Sequence, residues 1–535
     1  MEKKKIIALL VCIVAGVTIA VTGCISPPEE VSKGLSQEIV IGIGEDIKGL
    51  SPVYGCPWGA PLRPIYETLV VEDADLKIQP LLTESWEVSE GGKVWTFHLR
   101  RGIKFHDGTP FNASAVKFSF EYKPAAYRAL PHYIKSIDVI DEYTVKFVLN
   151  KPYAPLLRDV SSAPIMSPTA VDENGDFKSP IGTGPFKLDE WVKGQKIVLA
   201  KNENYWRGSP KLEKVIFKII PDASARAMAL ETGEIDLTGH RAGRGALYVS
   251  DIQRLREEPE IKIVEGYTQP CVNWIQFNTE KEPFSDLRVR KAVYYGIDTQ
   301  KMVTSVLGDT AVPLLKGPLS MPSTEHLLNQ NLTWYPYNPE KAKELLAEAG
   351  WKDTDGDGIR DRDGEQLKVT FVLSAFSPEL PKIAEIVQAQ LKEVGMDVKL
   401  QMVEYGAQQM MFEKGQYDMM MQMGVCGHGD PSLWFNYFFH SKRGVRCAYK
   451  NEQLTTLIDR LYTTINPEDR LKVFYEIQEI MEEDVPGVFL YTDANIVAMN
   501  KRVKNYEMFG GIHGAYLSLW KVYIEMIGGK KHENE

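Results

Sequence analysis

Hydrophobic and polar side chains alternate over Val94–Leu99, with Trp95, Phe97 and Leu99 on one side and Thr96, His98 and Arg100 on the other. A period of two predicts a strand with one face in a core. Asp107-Gly108 predicts a turn, and Thr109-Pro110 extended chain after it. Asn112 is placed to cap a helix on which Val116 and Phe120 share a face. The stretch therefore reads as strand, turn and helix start.

The same patterning organises the rest of the chain. Residues 38–44 form a short apolar strand, and two hairpins follow. Residues 85–88 pair with 94–99 across Glu90-Gly91-Gly92, and 137–140 pair with 144–149 across Asp141-Glu142. Lys151 to Leu157 starts a short helix. Strands at 196–200 and 215–220 with a helix at 223–231 predict an α/β layer. Strands are expected at 261–264 and 272–277, and Val289, Ala292 and Val293 fall at helical spacing. A helix at 340–350 ends in glycine. A further α/β unit spans strand 369–374, helix 381–394 and strand 397–403, and a last strand lies at 485–491.

A chain of 535 residues is too long for one core and predicts two or three lobes. The net charge of −10 provides no basic stripe for phosphates, which argues against nucleic acid. Lys3-Lys4-Lys5, an apolar run from Ile6 to Val21 and then Thr22-Gly23-Cys24 read as an export signal over residues 1–24. Either a lipid on Cys24 or an uncleaved helix would tie the body to the outer face of the cell membrane, with residues 25–37 as tether. Four cysteines remain: Cys56, Cys271, Cys426 and Cys447. They allow three pairings, of which Cys426 with Cys447 is preferred because it closes the loop-rich segment around His428. Neither a zinc spacing nor H-E-x-x-H, G-x-S-x-G or a phosphate loop occurs, so no enzyme is indicated.

W-x-F-x-L-R-x-G-x-K-F-H-D-G-x-P-F, from Trp95 to Phe111, resembles the signature of the extracytoplasmic solute-binding proteins of ABC importers, the dipeptide, oligopeptide and nickel-binding family. Gly182-Thr183-Gly184-Pro185-Phe186 and Pro283 to Asp298 resemble two more of its motifs in the same order. The resemblance covers residues 38 to 527. It implies a periplasmic-binding-protein-like class II α/β fold, two α/β lobes joined by crossing strands with an additional β-rich subdomain. Residues 38–75, 181–265 and 493–527 would form lobe I, 76–180 the β-rich lobe II, 266–492 lobe III, and 528–535 a polar tail. The implied function is capture of a solute between two lobes and delivery to a permease with its ATPase subunits. The expected cargo is a short peptide, or alternatively nickel or another metal as a small-molecule chelate. The protein would act as a monomer. A sensor or peptide-chaperone ectodomain is the alternative of another class.

The resemblance also selects site residues. Tyr54 and Trp58, in the loop after the first strand, are candidate cleft aromatics or loop anchors at a core edge. Met419 to His440 is expected to hold ligand determinants, with Gly427, His428, Asp430 and Trp434 as candidates beside Tyr405. Peptide binders place an Asp a few residues before the Asp-Pro turn to hold the ligand's amino group. Here Gly427 or His428 stands there, and Asp430 is the available substitute. No arginine between Leu156 and Pro168 convincingly matches the one with which nickel binders hold a chelate. His428 with Met421, Met423 and Cys426 offers softer metal ligands, or the methionines fill a core. His98 and His106 read as structural, and His240, Arg241 and Arg244 as an anion contact or a solvated loop. No cofactor is required. Asp353, Asp355, Asp357 and Asp361 resemble a calcium loop, although the twelfth position is Gly364 rather than Glu. The choice there is a structural calcium or a polar turn.

Overall fold

The strand Glu38–Ile43 buries Ile39, Ile41 and Ile43 completely at the middle of a seven-stranded sheet. In the computed structural model, residues 37–52, 60–122, 133–239, 245–267, 271–374, 379–425, 430–442, 448–510 and 516–525 are described. The sheet runs in the order Ile261–Gly266, Asn495–Asn500, Leu237–Thr238, Glu38–Ile43, Lys214–Ile219, Lys196–Lys201, Phe186–Val192. Glu38–Ile43 is parallel to Lys214–Ile219 and to Leu237–Thr238. The helix Ala223–Glu231, capped by the Asp222 side chain on Ala225 N at 2.7 Å, makes the crossover that parallel strands need.

A six-stranded sheet builds the second large lobe. Its order is Ala311–Pro313, Gly487–Asp493, Cys271–Phe277, Met419–Val425, Lys368–Ser374, Asp397–Val403. All seven residues of Cys271–Phe277 are buried, as suits a strand covered on both faces. The helix Leu380–Glu393 joins the parallel pair Lys368–Ser374 and Asp397–Val403. Val485, expected in the last strand, instead ends the helix Pro467–Asp484 in a left-handed conformation at φ 48°, and the strand begins at Gly487.

Main chain passes between these two sheets twice. Ile261–Gly266 leads into Cys271–Phe277, and Gly487–Asp493 returns through Ala494 into Asn495–Asn500. The crossings are neighbours, because Gly266 lies opposite Asn495 in one sheet and Asn273 opposite Tyr491 in the other.

The third sheet, Thr83–Ser89, Val94–Leu99, Thr144–Leu149, Ile134–Asp141, is wholly antiparallel. Trp95, Phe97 and Leu99 are buried, and Phe97 meets Phe147 edge-on at 5.4 Å. Phe120 reaches the same ring at 4.9 Å from the helix Ala113–Glu121, which Asn112 caps through Ala115 N at 3.0 Å.

This sheet is fastened to the first lobe through the Gly182–Pro185 segment. His106 N donates to Gly182 O, Gly182 N approaches His106 Nδ1 at 3.4 Å, and His106 Nε2 lies 2.9 Å from Gly184 O. Burial lowers the imidazole pKa to about 4. Neutral His106 therefore donates from Nε2 and accepts at Nδ1. The buried Glu67 carboxyl accepts from Thr183 Oγ1, Tyr205 OH and Trp206 Nε1. The two glycines are needed for space rather than for unusual backbone angles. A Cβ on Gly182 would lie 2.0 Å from Ile65 O, and one on Gly184 2.3 Å from Pro64 O.

Candidate functional site

Where the β-rich sheet's helix meets the second large lobe, five charged side chains gather. Glu72 ends the strand Val70–Glu72, and Arg158 and Asp159 lie on the helix Leu156–Ser161. Asp430 precedes the helix Ser432–Phe439, and Arg470 lies on the helix Pro467–Asp484. Arg158 Nη1 donates to Glu72 Oε1 and, at 2.7 Å, to Leu76 O. Arg470 Nη2 donates to both Asp430 oxygens, at 3.0 and 2.8 Å. Beside them Tyr133, Tyr153 and Tyr462 pack ring to ring, at 4.0 Å for the first pair and 5.8 Å for the second. Ala154 N donates to Tyr462 O at 2.8 Å, so main chain also bridges the junction.

Burial sets the ionisation of this cluster. It opposes charge on Asp430, but Arg470, Arg158 and the Ser432 hydrogen bonds outweigh it and hold that pKa below the ordinary carboxylate value. Glu72 is pushed up to about 8 by burial, against the attraction of Arg158 and with added repulsion from Asp430. Asp159 is raised to about 7, again mainly by burial, although Tyr153 OH donates to it at 2.6 Å. Three carboxyl groups thus share the junction with two guanidinium groups.

Several expected site residues sit differently from the sequence reading. Asp430 is buried and already paired, with Arg470 donating to both oxygens and Ser432 N donating to Oδ1 at 2.9 Å. Trp434 is a core residue, 1% exposed, with Trp274 5.2 Å away and its indole packed over Gly424. Tyr405 begins the helix Tyr405–Glu413 and is 59% exposed. Met421 is buried in Met419–Val425 opposite Ile275, as core filling. Arg158, within the stretch that yields no arginine match, is the residue that joins Glu72 to the junction. Its partner lies 86 positions away, and no local pattern marks it.

Asp353, Asp355 and Asp357 bring carboxylate oxygens within 4.8 Å of one another on the surface. Asp361 is not in that group: it receives Thr354 N at 3.1 Å and Thr354 Oγ1 at 2.7 Å. Asp353 accepts from Gly356 N and Gly358 N, and Asp357 from Ile359 N. Cys24, Tyr54, Cys56, Trp58, His240, Arg241, Arg244, Cys426, Gly427, His428 and Cys447 lie outside the described residues. Among the described residues, no helix is long and apolar enough to cross a membrane.

Comparison with known proteins places this architecture. The profile of the bacterial extracellular solute-binding proteins, family 5 Middle, matches residues 77–445. The oligopeptide-binding protein AppA of Bacillus subtilis is 33% identical over 469 residues, 83% of each chain. The structure of AppA in complex with a nonapeptide superposes with a TM-score of 0.73 at 27% identity, covering 92% of this chain and 100% of that one. NikA from Brucella suis in complex with Fe(III)-EDTA superposes with a TM-score of 0.81 at 26% identity, covering 91% and 100%. Through its signature strand, its paired inter-sheet crossings and these matches along most of its length, the chain belongs to the bacterial extracellular solute-binding proteins of family 5.

Proposed function

We propose that this protein is the substrate-binding component of an ABC importer and that its cargo is a short peptide. The carrying observation is the pair of neighbouring crossings at residues 266–271 and 493–495, about which the two large sheets can part and close. A ligand that touches both lobes favours the closed form by its differential affinity for closed over open. The closed form then docks as a monomer on a permease whose ATPase subunits drive import. The likeness to AppA over 83% of the chain supports a peptide as cargo. Residues 1–24 serve as the export signal, and a lipid on Cys24 anchors the protein outside the cell membrane.

A second reading, a metal held as a small-molecule chelate, is favoured by the superposition on NikA. Organic and elemental mass spectrometry of ligand released from protein lacking residues 1–24 separates the two. Short peptides are expected. Stoichiometric nickel, cobalt or iron with a chelator would overturn the peptide assignment. The loop carrying Asp353, Asp355 and Asp357 completes the proposal as a structural calcium site, supported by its converging oxygens.

A further inference from the structure

Parting the two large sheets also breaks a contact that no cargo makes. The chain leaves Glu38–Ile43, builds the β-rich sheet and returns through Gly182–Pro185 to Phe186–Val192, so that sheet is an insertion in the first lobe. His106 and Glu67 fasten it there. Its apolar interior nevertheless continues into the other lobe. Phe97, Phe147 and Tyr153 belong to one continuous buried cluster with Ile458, Tyr462 and Phe474, whereas Ile41 and Phe217 of the first lobe belong to another. The polypeptide enters and leaves the second large lobe only at the crossings. The junction with the β-rich sheet is therefore held by packing and hydrogen bonds alone.

One corner of the second large lobe makes this contact. The helices Glu452–Thr463 and Pro467–Asp484 meet at Thr464-Ile465-Asn466. Tyr462, just before the corner, lies 5.8 Å from Tyr153 and 6.5 Å from Tyr133, ring centre to ring centre. Ile465, at the tip, sits on Gly92 in the turn between Thr83–Ser89 and Val94–Leu99. A Cβ on Gly92 would lie 2.3 Å from Ile465 Cγ1, and its φ is 92°, so glycine serves both the turn and the seat of the isoleucine. Ala154 N donates to Tyr462 O at 2.8 Å. Tyr153 and Tyr462 are buried and present no free face to a cargo. Aromatic pairing and buried aliphatic area both favour the contact.

We infer that the Tyr462–Ile465 corner is a latch: it closes the second large lobe onto the β-rich sheet through protein groups alone, and contributes equally to closure around every cargo. This rests on the reading that the two large sheets part about the crossings. A ligand shifts the equilibrium by its differential affinity for closed over open, and the latch sets the point from which that shift starts. Weakening the latch lowers the affinity for all cargoes by one common factor.

The amide of Ala154 reports the latch directly. Hydrogen–deuterium exchange is followed on protein lacking residues 1–24, stripped of ligand by urea unfolding and refolding, with mass-spectrometric fragmentation to single amides. Pro152 and Pro155 carry no amide hydrogen, which leaves Tyr153 and Ala154 as the only amides of that stretch. In wild type, Ala154 should exchange more slowly than a free amide but faster than the core amide of Phe277, which donates to Pro486 O. Ile465→Asp should speed Ala154 about 10- to 100-fold, and Ile465→Ala about 3- to 10-fold. Asn150 N, bonded to Tyr133 O within the β-rich lobe, should keep its wild-type rate. An Ala154 amide that is unprotected in wild type, or that exchanges faster than Phe277 yet is unmoved by either substitution, would overturn the latch and leave lobe opening standing. Asn150 accelerating together with Ala154 would assign the change to local fraying and also overturn the latch. Ala154 and Phe277 exchanging equally slowly in all three proteins would mean that the lobes do not part, and would overturn the opening along with the latch.

Discussion

Acid should loosen the joint between the β-rich sheet and the first lobe through one imidazole. His106 is held neutral between Gly182 N and Gly184 O, and its pKa falls from 6.5 to about 4. Because the folded value is depressed, the folded state binds this proton less readily than the unfolded chain. The stabilisation is therefore complete above pH 6.5 and is lost as pH falls towards 4. Integrating between the two values, the loss is about 2 kcal/mol by pH 5 and about 3 kcal/mol by pH 4. Glu72 and Asp159 work in the opposite sense: their raised values make them favour folding as pH falls through about 8 and 7. The assay must therefore be a difference. Urea midpoints of wild type and His106→Asn, taken from pH 8 to pH 5, should show the wild-type advantage shrinking by about 2 kcal/mol. With nine histidines, imidazole resonances can be assigned, and that of His106 should not shift above pH 5. An advantage independent of pH, or a His106 resonance titrating near 6.5, would refute the argument.

Two other outcomes are expected. Gly184→Ala drives a Cβ to 2.3 Å from Pro64 O and 2.7 Å from the Ile65 carbonyl, all backbone atoms. It should lower stability by about 3 kcal/mol in urea unfolding, whereas Gly194→Ala, with nothing within 4 Å, is strained only by its φ of 74° and should cost about 1 kcal/mol. Calcium at the Asp353–Asp357 loop should raise the melting temperature of wild type but not of Asp355→Asn, as read by differential scanning calorimetry with and without a chelator. Equal melting curves for wild type in both conditions would remove calcium from that loop.

What could be read from sequence follows the range of the interactions. Trp95, Phe97 and Leu99 show their alternation because the sheet they belong to is covered on one side, and Asn112 caps its helix through an amide only three residues away. Gly182 and Gly184 were recognisable as important, but glycine is written the same way whether it relieves backbone angles or lets another backbone approach. Only the position of Ile65 O tells the two apart. Asp430 read as a substitute for the amine-holding Asp, and its pairing with Arg470 was hidden because that residue stands 40 positions downstream. Glu72 is one acid among 72 Asp and Glu residues, and its burial depends on a helix that begins at Leu156. Trp434 was a candidate only as part of the segment from Met419 to His440, whereas the sheet beneath it has a glycine at 424 that leaves room for the indole.

The pairing of Gly266 with Asn495 has an architectural consequence. Ile261–Gly266 and Asn495–Asn500 are the two arms of an antiparallel hairpin, and everything from residue 267 to 494 has been spliced in where its turn would be. The inserted piece begins and ends on adjacent strands of its own sheet, so both halves present their loose ends side by side. A lobe attached in this way can be lengthened, exchanged or rebuilt around a new cargo without disturbing the register of the host sheet. The host contributes one open hairpin tip, and the graft needs only two ends that match its spacing.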